Sequence, residues 1–284
     1  VGEGRLAELP RIVDAVVDAI GDRPVRAPDA AARPPLVPAL READLTGRRI
    51  VVTAGGTREA IDPVRYLGNR STGKMGAALT AAALDRGAEV TVVAGALEVP
   101  LPEGARVIRV ESTEEMAAAL REAMGLDAAA SVDALVMAAA VADFRPAQRA
   151  GQKLARDGAL TLQLEATPDV LAGVAAEVRR LPAPHRPVLV GFAAETGSLE
   201  RAAGKLAAKG VDLLVANDVA EAGSGFGTDT NRVTILDAAG GRDELPLLTK
   251  REVADRILDR VARALDDRNE PAQTVGSTHG RAAR

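Results

Sequence analysis

The chain between residues 45 and 266 alternates short runs of Val, Ile and Leu with longer Ala-rich stretches whose apolar positions recur three and four residues apart. The short runs are typical of buried strands, and the second pattern is typical of amphipathic helices. Their alternation predicts an α/β fold: a doubly wound, Rossmann-like, mostly parallel sheet with helices on both faces. We predict strands at 49–53, 89–93, 106–110, 134–138, 187–192 and 213–216, and helices at 74–86, 113–124, 170–180, 199–209 and 250–265.

Both ends of this domain depart from the alternation. Two apolar runs, 231–236 and 243–247, flank the turn sequence AAGGR and predict a C-terminal β-hairpin, and the polar stretch 267–284 predicts a disordered tail. Within the segment 1–20, residues 5–20 carry apolar positions at helical spacing, and the proline-rich stretch 21–44 predicts a linker. Because a lone helix cannot bury its own apolar stripe, we expect it to be the last element of an upstream domain in a longer, cytoplasmic protein.

Composition excludes several classes of function. The 36 Lys and Arg are balanced by 40 Asp and Glu, which argues against a nucleic-acid binder. No apolar run reaches the roughly 18 to 20 residues of a membrane span. The chain has no Cys and only 2 His, so thiolate chemistry is excluded and a multi-histidine metal site is not expected. The metal ligands, if any, remain unknown from the sequence.

Ligands of an open parallel sheet bind outside the carboxyl ends of its strands, so chemistry is expected in the segments that follow them. Gly55 and Gly56 follow the first strand, where they either let the backbone approach a ligand or only satisfy a tight turn. Ser71, Thr72 and Gly73 open the first helix, where backbone N–H groups can hold phosphate. A plain polar helix cap is the alternative for these three residues.

Two glycine-rich segments need separate interpretation. Residues 68–74 satisfy G-x-x-x-x-G-K, but Met75 stands where a P-loop needs a hydroxyl, and the segment lies well beyond the preceding strand, so we reject a P-loop. The loop 223–231 is either a lid over a ligand or a flexible connection.

The later strand ends offer small residues, an acid and cations. The stretch 138–140 is all Ala and leaves room for a flat ring against the backbone. Asp143 is placed to hold ribose hydroxyls, or is a turn former. Lys153 lies in the loop that follows. Its cation would suit a triphosphate ligand; the alternative is a loop that is simply solvated. Lys205 and Lys209 share a helix face and would repel each other slightly unless an anion lies between them.

Several motifs occur in one order along the chain: GGTREAIDPVRYLGNRSTGKMG, AAAVADFRP, the Lys153 segment, ATPDVL, GFAAET, the Lys205/Lys209 pair, AND and GFGTDTN. Together they closely resemble the phosphopantothenoylcysteine synthetase domain of bacterial coenzyme A biosynthesis, over about residues 45–265. The resemblance implies the C-terminal part of a bifunctional protein. Residues 1–20 would then be the tail of its flavin-dependent decarboxylase, so FMN and decarboxylation belong to the upstream domain.

The resemblance also implies a two-step ligation that needs Mg²⁺. The carboxylate of 4'-phosphopantothenate attacks the α-phosphorus of CTP, which gives an acyl-cytidylate and pyrophosphate. The amine of L-cysteine then displaces CMP and leaves the amide. The family implies a homodimer formed through the synthetase domain and a higher oligomer of the full-length protein.

Site residues carry over from the matching motifs. Asn69 corresponds to the asparagine that holds the acyl-cytidylate carbonyl, Arg65 to an arginine of the second half-reaction, and Lys153 to the lysine needed to form the intermediate. The residues implied to bind CTP are Met137, Ala138, Ala139, Asp143, Lys153, Pro168, Asp169, Val170, Leu171, Phe192, Lys205 and Lys209, with Gly55, Gly56, Ser71, Thr72 and Gly73 along the phosphates.

One departure from the family concerns the basic motif that begins at Lys153. The family commonly has K-I-K-K or K-I-K-R, whereas this chain has Lys153-Leu154-Ala155-Arg156. One cation near the phosphates is therefore missing, and we expect slower or weaker nucleotide use at most.

Two other functions compete with the ligase. A nicotinamide-dependent oxidoreductase could use the same type of sheet, but G-x-G-x-x-G is absent and Tyr66, the only tyrosine, is in no Tyr-x-x-x-Lys pair. A nucleotide-sensing module would bind through the Lys pair and Asp143 without releasing pyrophosphate.

Overall fold

The computed structural model describes residues 43–126, 132–195, 200–221, 223–225 and 227–269. The predicted upstream helix, nearly all of the predicted linker and most of the predicted tail lie outside the described residues, so those predictions stay open.

The described helices are α1 (Lys74–Asp85), α2 (Thr113–Met124), α3 (Val170–Val178), α4 (Glu200–Lys209) and α5 (Lys250–Asn269), with a 3-10 turn at Ala183–His185. The strands are β1 (Arg49–Ala54), β2 (Arg58–Ala60), β3 (Tyr66–Gly68), β4 (Glu89–Ala94), β5 (Arg106–Arg109), β6 (Ala134–Met137), β7 (Phe144–Pro146), β8 (Leu164–Ala166), β9 (Val188–Glu195), β10 (Leu213–Asp218), β11 (Thr230–Asn231), β12 (Thr234–Asp237), β13 (Arg242–Glu244) and β14 (Leu248–Thr249).

The central sheet of the described chain has the strand order β13-β12-β10-β9-β6-β1-β4-β5. Strands β10 through β5 in that order run parallel, whereas β12 and β13 add an antiparallel hairpin at one edge. The predicted doubly wound sheet with a C-terminal hairpin is confirmed. Chain order reverses between β1 and β6, and a crevice for ligands opens at such a reversal, outside the carboxyl ends of the strands.

Alternate residues of β1 enter two separate cores. Ile50 and Val52 point to one face of the sheet, where α1 and α5 pack, and both are at most 1% exposed. Val51 points to the opposite face and packs with residues of α2, α3 and α4. A strand with both faces covered has a nearly continuous apolar sequence, as RIVVT does.

Two short hairpins beside the central sheet were not predicted. β2 pairs with β3, and β7 pairs with β8, both antiparallel. Their sequences lack the alternation of apolar and polar residues that indicates a strand, and the two hairpins contact each other. Their pairing therefore depends on their place in the fold.

Two predicted boundaries near the C-terminal end were wrong. The run 231–236 is not one strand, because Asn231 pairs with Leu248 while Thr234 begins the strand beside β10. The closing helix continues to Asn269, so the first residues of the predicted tail are helical. Arg268 anchors that last turn through bonds to Asp212 Oδ1 (2.5 Å) and to the carbonyl of Arg186 (2.6 Å).

Candidate functional site

A cleft of about 500 Å³ opens at the carboxyl ends of β6, β9 and β10, opposite the first turn of α1. It lies where the strand order predicts a ligand crevice, and it gathers segments that are far apart in the sequence. The predicted site residues that line it are Asn69, Ser71, Thr72, Gly73, Met137, Ala138, Ala139, Asp143, Pro168, Asp169, Val170, Leu171, Phe192, Lys205 and Lys209.

One side of the cleft is the stretch of small residues 138–142, called the 138–142 wall below. Buried hydroxyl groups hold its backbone: Thr53 Oγ1 accepts from the N–H of Ala139 (2.9 Å), and Thr57 Oγ1 accepts from that of Ala142 (2.8 Å). Asn69 Nδ2 donates to the carbonyl of Val141 (2.8 Å), which places the Asn69 amide against the wall. The wall is a smooth, fixed surface on which a flat ring can lie.

The N-terminus of α1 borders the cleft opposite the wall. Its N-cap is Gly73, which has φ 80° and no capping side chain, and the first residues of the helix line the cleft; the N–H of Lys74 donates to Thr72 Oγ1 at 3.5 Å. Backbone N–H groups at such a terminus, together with the helix dipole, favour an anion.

Two lysines of α4 supply positive charge to the cleft. Lys205 Nζ lies 2.6 Å from Glu195 Oε1, and Lys209 Nζ donates to Asp169 Oδ2 at 2.8 Å. Burial raises the pKa of Asp169, but the Lys209 hydrogen bond and the N–H of Ala172 outweigh it, so that pKa lies below its usual value. Both lysines line the cleft and pair with carboxylates, of which Glu195 is buried and Asp169 is half-exposed.

The loop 223–231 reaches the same cleft through residues that the sequence analysis did not single out. Lys250, 7% exposed, donates from Nζ to the carbonyls of Gly225 (3.0 Å) and Thr228. Asn231 Oδ1 accepts from Ser224 Oγ (2.7 Å). Burial, and then the charge of Lys74, lower the pKa of Lys250. Among the cleft residues with ammonium or amide side chains, those that were not predicted are Lys74, Asn217, Asn231 and Lys250.

The sequence contains a signal for three of these residues and none for the fourth. Asn217 and Asn231 belong to the AND and GFGTDTN motifs, and Lys74 ends the G-x-x-x-x-G-K stretch. Lys250, at the start of a helix of ordinary composition, offered none.

Gly55 and Gly56 are not among the residues that line the cleft. Gly56 donates its N–H to the carbonyl of Ala96 (3.1 Å) and accepts from the N–H of Ala96 (2.8 Å), so it continues the sheet. Gly55 has φ 81°, and a Cβ there would lie 2.3 Å from the Ala96 carbonyl oxygen. The pair meets a steric requirement of the backbone, and its implied place along the phosphates stays a prediction.

Arg65 and Lys153 are not among the residues that line the cleft, but the structure brings their two segments into contact. Arg65 Nη2 donates to the carbonyl of Leu154 at 2.8 Å, next to the exposed Lys153. The structure therefore places the arginine of the resemblance in contact with the residue that follows its lysine.

None of the helices in the described part of the chain combines the length and apolar character of a membrane span. Among the same residues, no cluster of three or more acidic or imidazole groups is suited to hold a metal ion.

Fold and cleft together define a doubly wound α/β domain with a lysine-bearing cleft at its switch point. A family model described as the C-terminal domain of the DNA/pantothenate metabolism flavoprotein matches residues 45–265. The chain belongs to this family, as the motifs predicted.

Known relatives agree with this assignment. The chain is 45% identical over 223 residues to the coenzyme A biosynthesis bifunctional protein CoaBC of Bacillus subtilis, covering 78% of this chain and 52% of that protein. It is 45% identical over 226 residues to the CoaBC of Mycobacterium bovis, covering 77% and 53%. The chain thus spans about half the length of these curated relatives. A crystal structure of a CoaBC C-terminal domain is 36% identical, with a TM-score of 0.65, over 80% of this chain and all of that one (100%).

Proposed function

We propose that residues 45–265 form a phosphopantothenate–cysteine ligase of coenzyme A biosynthesis that uses CTP. The observation that carries the proposal is the cleft itself, where the 138–142 wall, the N-terminus of α1 and two lysines of α4 converge. A nucleotide needs a surface for its ring and sugar, and positive groups for its phosphates. The family assignment and the CoaBC relatives support a role in coenzyme A biosynthesis.

The first step joins two anions, and the residues of the cleft reduce that cost. The cytosine and ribose would lie along the 138–142 wall, with Asp143 at its end to accept from the ribose hydroxyls. The phosphates would meet the N–H groups of α1 and the ammonium groups of Lys205 and Lys209, which stabilise charge on the α-phosphorus and on the leaving pyrophosphate. The substrate carboxylate forms the new bond to phosphorus as the bond to pyrophosphate breaks.

The second step takes place at the edge of the wall. Asn69, held by Val141, would donate to the carbonyl oxygen of the acyl-cytidylate while the cysteine amine attacks its carbon. CMP leaves with the bonding electrons, and the amine gives up a proton. Arg65 would serve this step, and Lys153 the first one.

Magnesium would arrive with the nucleotide. Mg²⁺ in such sites is commonly bound by substrate phosphates, water and one or two carboxylates. The described residues offer no larger acidic cluster, which fits an ion carried by CTP rather than one resident in the protein.

A homodimer is the assembly that we propose for the domain. Val64 and Tyr66 on one hairpin, and Phe144 and Leu164 on the other, are exposed although apolar, and the two hairpins contact each other. Exposed apolar groups that lie together mark interaction surfaces. Sedimentation of the domain and of a Phe144→Glu, Leu164→Glu variant would test this.

The cytoplasm is the location that fits a nucleoside triphosphate substrate.

The deciding experiment measures pyrophosphate release with Mg²⁺ and 4'-phosphopantothenate, using CTP and, separately, ATP. We expect release that depends on phosphopantothenate and favours CTP. With Asn69→Asp, pyrophosphate release should persist while amide formation stops, and with Lys153→Gln release should fall to a small residual rate. Nucleotide binding without release from either triphosphate would favour the sensing module, and saturable NADPH binding would favour the oxidoreductase.

A further inference from the structure

The turn 61–65 carries a buried carboxylate with two separate sets of partners. Asp62 is 2% exposed, and its Oδ1 accepts from the N–H groups of Val64 and Arg65, both at 2.8 Å. Its Oδ2 accepts from the N–H of Leu154 at 3.1 Å, across 92 positions of sequence. Capping the turn needs only the first oxygen. The second oxygen joins the turn to the segment that contains Lys153.

Arg65 completes the attachment. Its Nη1 lies 3.6 Å from Asp62 Oδ2, and its Nη2 donates to the carbonyl of Leu154 at 2.8 Å. Both polar backbone groups of Leu154 are therefore bound by the Asp62–Arg65 pair. A further bond from the N–H of Ala150 to the carbonyl of Ile61 (2.9 Å) fixes the other end of the segment.

Lys153 itself is exposed, and its neighbour Leu154 is the point where the segment is held. We propose that Asp62 is a positioning residue, which fixes the backbone of Leu154 and the guanidinium of Arg65 and so presents Lys153 for the first half-reaction. This inference rests on the proposed function for the role of Lys153.

Asp62→Asn separates the two tasks of the carboxylate. Its amide oxygen can still cap the turn, but its NH2 group then faces the N–H of Leu154 and the Arg65 guanidinium, which are donors as well. We expect pyrophosphate release to fall by roughly 10- to 100-fold in kcat, since a small misplacement of a catalytic group costs about that much. KM for CTP should stay near that of the wild type, because Asp62 is outside the cleft lining.

The double variant Asp62→Asn, Lys153→Gln tests whether Asp62 acts through Lys153. Residues that act as one unit are not additive, so the double variant should release pyrophosphate no more slowly than Lys153→Gln alone. Losses that multiply would overturn the proposal, as would a wild-type kcat for Asp62→Asn.

Trypsin cleavage after Lys153 gives a readout that does not need the ligase reaction. The Lys153–Leu154 bond should be cut at least several-fold faster in Asp62→Asn, because the segment is released; equal rates would overturn the proposal. If instead the wild type releases no pyrophosphate while the cleavage rates differ, the proposed function fails and the attachment stands.

The matched control is Asp237→Asn, in the hairpin between β12 and β13. Asp237 Oδ1 also accepts two backbone N–H groups, from Ala239 (3.0 Å) and Gly241 (2.8 Å), and its Oδ2 pairs with Arg260. It should lose thermal stability to a similar extent while keeping its kcat and cleavage rate. Should Asp62→Asn fail to fold, Asp62→Ser retains a hydroxyl for the turn but cannot also reach Leu154, and the same outcomes apply to it.

Discussion

The two sides of the cleft are held in place by different forces. The 138–142 wall is fixed by neutral hydrogen bonds to Thr53 and Thr57, which are 0% and 1% exposed. On the other side, Lys209 pairs with a half-exposed Asp169, and Lys74 pairs with Asp229, whose side chain is 87% exposed. The hydrogen bonds of the wall are buried, whereas each of these two ion pairs has an exposed carboxylate.

In the proposed reaction the backbone of the 138–142 wall must stay fixed, whereas the lysines must exchange their carboxylate partners for phosphate. Buried hydrogen bonds are costly to break because the groups left behind cannot reach water. Surface ion pairs contribute little to stability, and a phosphate can replace either carboxylate at a similar distance. We expect mutations of the wall to act mainly on stability, and mutations of the charged side to act mainly on nucleotide use.

The largest effect on the wall should come from Gly55→Ala. The carbonyl of Gly55 accepts from the N–H of Ala140 (2.8 Å), and a Cβ would meet the Ala96 carbonyl at 2.3 Å. A left-handed conformation costs about 1–2 kcal/mol for alanine, and overpacking adds about 1–3 kcal/mol. Denaturant unfolding should show the sum of the two.

Gly47→Ala is the control that separates these contributions. Gly47 has φ 75°, but a Cβ at this position would have nothing within 4 Å, so only the conformational cost applies. If both variants lost the same free energy of unfolding, the close approach of Ala96 would not constrain the wall.

A smaller loss is expected for Thr57→Val. The change removes the acceptor of the Ala142 N–H, which is buried, and leaving such a donor unsatisfied costs about 1–3 kcal/mol. Pyrophosphate release should also fall, because the wall loses its anchor. Thr80→Val is a buried control whose hydroxyl donates only to Gly76 within its own helix. If both variants lost the same pyrophosphate release, the wall would not depend on Thr57 in particular.

The sequence predicted those parts of the fold whose signals are local. The helix over 113–124 was predicted with its observed ends, since Ser112 caps it through Glu115 N–H (3.1 Å) and Gly125 ends it with φ 63°. The hairpins of β2 with β3 and β7 with β8 were missed, because their pairing follows from the surrounding fold. In the cleft, small residues and lysines were predicted from motifs.

The supporting contacts of the site could not be predicted in the same way. The bond from Ala142 to Thr57 spans 85 positions of sequence, and that from Leu154 to Asp62 spans 92. Nothing in the neighbouring residues indicates such partners. Gly55 and Gly56 could not be assigned from the sequence, since a glycine pair after a strand is equally consistent with a ligand and with a crowded backbone.

On the charged side, Lys209→Gln should change nucleotide use more than stability. The Lys209–Asp169 pair is partly exposed, so its loss should cost less than about 1 kcal/mol. A charge-assisted bond to phosphate is worth about 1.5–3 kcal/mol, which corresponds to roughly a 10- to 100-fold rise in KM for CTP. Arg242→Gln, on β13, removes an exposed cation as a control and should leave KM unchanged. A normal KM for Lys209→Gln would remove this lysine from the phosphate site.

The smallest effect concerns Asp229→Asn. The hydrogen bond and charge of Lys74 hold the pKa of Asp229 below its ordinary value of 3.8. The unfolded chain therefore takes up the proton first, so the stabilisation is complete above pH 3.8 and is lost as the pH falls through the lower folded pKa. The difference in melting temperature between wild type and Asp229→Asn should be small and constant near neutral pH, and should vanish in acid. Lys74→Gln should show the same profile, because it breaks the same pair. A difference that grows as the pH falls would mean that the charged side is not held by this ion pair.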